Sequence, residues 1–141
     1  MRIPYTIDRP AQLVRIVCEE APTLPAVKDL VEDLLQDPSF QKGYKLFLDG
    51  SRIHVPPSTD TVLQIARFIQ EKSDALAVSE AVALASGPLC YGMTRMAQQI
   101  IGFPVTEVFH DRCEAEAWLK SIINVSGVSS PQRSHRYPEA A

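Results

Sequence analysis

The sequence predicts an α/β domain: a mostly parallel sheet of four to five strands, with an N-terminal antiparallel hairpin strand and four helices. Three observations carry this. Short β-branched or apolar runs alternate with longer stretches whose apolar residues return every three to four positions, the order that builds a parallel sheet wound with helices. The first two runs are separated only by residues 8–11, around Arg9-Pro10, which reads as a hairpin. A continuous apolar run, Leu46-Phe47-Leu48, stops at Asp49-Gly50, as expected of a strand covered on both faces.

Taken in order, residues 3–8 and 12–18 form the hairpin, and Glu19-Glu20 end its second strand. Residues 22–25 open the first helix. Val27, Leu30, Val31, Leu34 and Leu35 then fall on one face, and Asp37-Pro38 stops it because the residue before proline avoids the α region. The central strand is 45–49. The second helix spans about 59–73, with Val62, Ile65, Ala66 and Ile69 inward. Residues 75–85 are apolar without a clear period, and 81–85 before Ser86-Gly87-Pro88 reads as a buried strand. Pro88 suits a first helical turn, so a third helix follows over about 89–101, carrying Leu89, Met93, Met96, Ala97 and Ile100 inward and ending at Gly102. Residues 105–109 are the last strand. Asp111, with Glu114 three residues on, begins a last helix whose stripe is Ala115, Trp118, Leu119, Ile122 and Ile123. The domain is expected over 1–123. Residues 124–141, rich in Ser, Pro and small or polar residues, read as a flexible tail.

The stretch 44–62 joins a buried strand to a capped helix. Gly50 permits the turn, Pro56-Pro57 keep helix out of the loop, and Ser58 or Thr59 caps the next helix with Asp60 in its first turn. Asp49, Ser51, Arg52, His54, Ser58 and Thr59 lie near the strand's carboxyl end. They are either loop solvation and capping, or a contact surface. Ser86, Tyr91 and Arg95 lie near the same sheet end, and Tyr91 and Arg95 are one helical turn apart. Arg52 and Arg95 suit acidic groups on a partner, while Tyr91 offers apolar and hydrogen-bonding contact. Met93 and Met96 read as core, or as a crevice near Trp118 for an apolar guest.

Composition narrows the function. With 45% hydrophobic and 22% charged residues, the 141-residue chain can build a core without disulfides or metal. A net charge of −3 and a pI near 5.6 argue against nucleic-acid binding. Cys18, Cys90 and Cys113 make no metal-ligand spacing and read as buried or half-buried thiols in a reducing cytoplasm. No apolar run reaches the ~20 residues of a membrane span, so a cytoplasmic location is expected. Phosphate-binding GxxxxGK[ST] and GxGxxG loops and a GxSxG elbow are absent. His54, His110 and His135 are isolated in the sequence, and no metal site or cofactor is expected. Glu19-Glu20, Asp49 and Ser86 imitate part of a phosphoreceiver. The lysine is missing after 105–109, where Phe109-His110-Asp111 stands, and no strand fits between Glu20 and Asp49.

The hairpin, the helix VKDLVEDLLQDPSF, the strand KLFLD, the segment PPSTDTVLQIARF and the helix LCYGMTRMAQQI resemble the SpoIIAA-like group of the STAS superfamily over roughly residues 3–122. DPSF and Tyr91-Gly92-Met93 with Arg95-Met96 are the most specific pieces. The resemblance implies a SpoIIAA-like (STAS) fold and a binding or regulatory role without catalysis. It also implies a phosphorylatable serine at Ser58-Thr59, Ser58 first. The usual Asp-Ser-Ser/Thr-Gly signature is replaced here by Pro57-Ser58-Thr59-Asp60, and Asp60 opposes an added phosphate. The expectation is a domain that engages a protein partner through the 49–59 loop and the start of the third helix, with Asp49, Ser51, Arg52, Ser58, Thr59, Ser86, Tyr91 and Arg95 as contacts. The alternative is a SEC14-like carrier or sensor of a small apolar or lipid-like ligand. A homodimer is compatible with either.

Overall fold

A computed structural model of the chain describes residues 1–124. The sheet holds five strands: β1 (Tyr5–Asp8), β2 (Leu13–Val17), β3 (Lys45–Gly50), β4 (Glu80–Ala85) and β5 (Val105–Phe109). Their spatial order is their chain order. β1 is antiparallel to β2, and every later pairing is parallel. The helices are α1 (Leu24–Gln36), α2 (Thr59–Glu71), α3 (Ser73–Leu76), α4 (Gly87–Ile101) and α5 (Arg112–Asn124).

Because strand order moves one way, right-handed crossovers deposit successive connecting helices on one face. Val14 and Ile16 of β2, with Leu46 and Leu48 of β3, accordingly pack with α1 and α2 residues such as Val27, Val31 and Ile65. α4 joins this side against Ala85 and Val108. The alternate residues Leu13, Phe47, Val82 and Leu84 face the other way and meet Ala115, Trp118, Leu119 and Ile122 of α5. Phe47, Leu13 and Leu119 are almost wholly enclosed there, each worth roughly 1.5–3 kcal/mol of transfer free energy. Among the described residues α1, α2 and α4, with Leu76 of the one-turn α3, thus cover one face, and α5 covers part of the other.

The termini follow from local chemistry. The Thr23 hydroxyl accepts the Ala26 N–H at the start of α1. Ser58 caps α2 by accepting from Thr61 N at 3.1 Å, and Asp111 accepts from Cys113 N at 2.9 Å before α5. α1 is also tied to the hairpin, since Tyr5 Oη donates to Asp37 Oδ2.

Several expectations need correction. Among the described residues there are five helices rather than four, because 73–76 forms one turn, ended where Ala77 turns left-handed at φ 48°. A single turn is too short to impose a period on the sequence. Leu35 of α1 is exposed. Leu89 of α4 points to solvent, and Cys90 is buried in its place. Cys113 is exposed while Cys18 and Cys90 are buried. Trp118 packs on the face opposite Met93, so no methionine crevice meets it. The tail expected over 124–141 falls outside the described residues beyond Asn124, which still belongs to α5.

Candidate functional site

The carboxyl ends of the parallel strands form a rim built from 18–23, 50–58, 85–87 and 109–111. Strand order does not reverse anywhere in the parallel part. The crevice that such a reversal opens in other open α/β sheets is therefore absent at this rim.

The rim residues divide between the two sides of the sheet. Asp49 lies on the α5 side. Its Oδ1 accepts from Ser51 N at 3.0 Å and from Ser51 Oγ at 2.6 Å, and its Oδ2 accepts from the Arg112 guanidinium at 2.7 Å. Arg112 also donates to Ser51 Oγ at 3.2 Å. Burial alone would raise the Asp49 carboxyl. The Ser51 hydroxyl, Arg112 and the Ser51 amide outweigh it and hold the group below its ordinary value. Asp49 in turn pushes the Arg112 guanidinium further up. One turn on, Glu116 receives both guanidinium nitrogens of Arg15, at 3.1 and 3.2 Å, and Arg15 lies 5.1 Å over the Phe47 ring. This chain of charges fastens the start of α5 to β2 and β3.

Ser86 lies on the α4 side. Its hydroxyl donates to the Ile53 carbonyl, which also receives the Cys90 thiol at 3.4 Å. The loop is thereby pinned to the first turn of α4. Tyr91 stacks on His110 with ring centroids 4.5 Å apart. Arg52 is exposed and pairs with Glu19 at 3.4 Å, a solvent-screened contact worth little. Ser58 also donates its hydroxyl to Thr61 Oγ1, and Thr59 is exposed beside it. Arg95 is exposed one turn beyond Tyr91, and among the described residues it has no ion-pair partner. Ser51, Arg52, Ser86 and Tyr91 therefore share the rim, but Asp49 and Ser51 serve α5 while Ser86 and Tyr91 serve α4. Sequence reading missed Arg15, Arg112 and Glu116. The available signals were an arginine inside the buried run LVRIV and an i, i+4 Arg–Glu pair opening the last helix.

The feature that sequence could not reveal is a cavity between the sheet and the three-helix layer. It holds about 240 Å³. Its floor is Ile16, Cys18, Leu46, Leu48, Ala81 and Ala83; its walls include Val27, Ile65, Met93, Ala97 and Ile101; Ile53, Pro56 and Pro57 of the rim loop border it. Thr94 and Gln98 also line it. The Thr94 hydroxyl is turned onto the Cys90 carbonyl at 2.8 Å and the Gln98 amide nitrogen onto the Glu107 carbonyl at 3.1 Å. Burial, and secondarily the Asp49 charge, pushes the Cys18 thiol up to about 11, so it is neutral at physiological pH. The cavity surface is thus almost wholly apolar. Among the described residues no group of His, Cys, Asp and Glu is placed to hold a metal ion. Among the described residues, too, no helix is long and apolar enough to cross a membrane.

No protein-family model matches the chain, and no curated protein matches it. Among solved structures it is similar to the crystal structure of an uncharacterized protein of the DUF3478 family with a SpoIIAA-like fold, from Shewanella loihica PV-4. The TM-score is 0.58 at 15% identity, over 84% of this chain and 94% of that one. With its antiparallel opening strand, parallel remainder and flanking helices, the chain has a SpoIIAA-like fold.

Proposed function

We propose that the protein is a non-enzymatic binding domain that carries or senses a small apolar ligand, held between the sheet and helices α1, α2 and α4. The observation behind this is the cavity of about 240 Å³ with its apolar lining. Protein interiors rarely leave voids much larger than a water molecule. An apolar guest entering this partly open pocket takes its lining out of water, which is favourable. The volume exceeds the ~150 Å³ that admits benzene and falls below the ~300 Å³ at which drug-sized pockets begin. A monocyclic or short-chain guest fits better than an intact phospholipid. The rim supports binding over catalysis, since the Ser86 hydroxyl is committed to a main-chain carbonyl rather than to a base.

The test is native mass spectrometry of freshly prepared protein, beside an Ala97→Leu variant that fills the cavity from α4. An added small-molecule mass on the wild type, missing from the variant, is the expected outcome. Wild-type protein that stays empty across preparations and shows no thermal shift with small apolar compounds ends this reading.

A second reading, a protein-partner surface on the rim, is favoured by two exposed apolar side chains. Val55 in the loop and Leu89 at the start of α4 are 75% and 63% exposed, each three residues along the chain from Arg52 or Ser86. Such side chains mark contact sites when they cluster. Leu89→Glu should weaken capture of a partner at least tenfold, on the order of 1.4 kcal/mol. Equal capture by wild type and variant removes the rim from consideration.

A further inference from the structure

We infer that the cavity selects uncharged guests, compact molecules such as short alkyl alcohols or small aromatics, and rejects ligands that carry a carboxylate or phosphate. This rests on the cavity being the binding site. Among the described residues no lysine, arginine or histidine lines it. An ionised group taken inside would lose its hydration without gaining a counter-ion, which is far more costly than burying a hydroxyl. Three of the donors that line the space are engaged with main-chain carbonyls. Thr94 Oγ1 donates to the Cys90 carbonyl, Gln98 Nε2 to the Glu107 carbonyl, and the Cys90 thiol to the Ile53 carbonyl. Gln98 keeps its amide oxygen, an acceptor that welcomes a hydroxyl or N–H, and one further N–H of its amide. At the β2 end the Cys18 N–H is held by the Asp49 carbonyl, so it too is not free to meet an anion.

The test compares 1-octanol with octanoate, which share a chain length and differ in the charge of the head. Both are titrated into the full-length protein and into Ala97→Leu at pH 7.5, followed by calorimetry and by the methyl resonances of Ala83 and Ala97 in the wild type. Octanol should bind the wild type saturably and roughly 100-fold more tightly than octanoate, and Ala97→Leu should lose octanol. Octanoate binding within about threefold of octanol would mean that the charged head reaches solvent or a cation. That result overturns the selectivity and leaves the binding reading intact. If neither compound binds the wild type, both the selectivity and the reading beneath it fall.

Discussion

Asp49 leaves the sheet on the face away from the cavity, and that single alternation decides its role. In the sequence it ends the central strand beside a polar loop and looks available to a partner. In the fold it is taken by Ser51 and Arg112, with Oδ2 2.7 Å from the guanidinium. Its folded carboxyl sits below the ordinary value, so it contributes stability that is present above the unfolded pKa of about 3.9 and lost as pH falls through the lower folded value. Asp49→Asn should therefore melt below wild type at neutral pH, and the gap should close as pH drops beneath about 4. Thermal melts of both proteins between neutral and strongly acid pH check this. A gap that stays constant with pH would show that the pair with Arg112 does not matter. Arg112 was invisible as the partner because it lies 63 residues downstream, and no local pattern reports so distant a contact.

Elements were more legible than residues. Strands and most helices announce themselves through period and termini: LVRIV, KLFLD, the Ser58 cap, the Asp111 cap and the left-handed Gly102 at the end of α4. Which way α4 is turned was harder to read. Its inward stripe runs through Cys90, Met93, Thr94, Ala97, Gln98 and Ile101, and two of these are polar. A reading that follows hydrophobicity alone finds Met93 and Ala97 but adds Leu89, Met96 and Ile100 in place of Cys90, Thr94, Gln98 and Ile101. The structure explains the exchange, because Thr94 and Gln98 each hide a donor in a main-chain carbonyl. Leu89→Glu should accordingly leave stability within about 0.5 kcal/mol of wild type, measured by denaturant melts. A loss of several kcal/mol would return Leu89 to the core.

For the whole molecule, the sheet order and the layering follow from β-α alternation with right-handed crossovers, and both were legible. The cavity was not, because it depends on the separation between layers and on small side chains, Ala81, Ala83 and Ala97, facing one another across it. An alanine in a sequence reads as core filler whether or not anything fills the space above it. Ala97→Leu should raise the ligand-free stability by about 0.5–2 kcal/mol while removing the guest. A lower Tm for the variant would indicate that the space is already packed. The layering has a further consequence during synthesis. Each strand pairs with the one made just before it, so the sheet can assemble in step with the emerging chain. Its second face cannot: Leu13, Phe47, Val82 and Leu84 wait for α5, and until Trp118 and Leu119 leave the ribosome the nascent domain carries a sticky, uncovered side that chaperones are suited to shield.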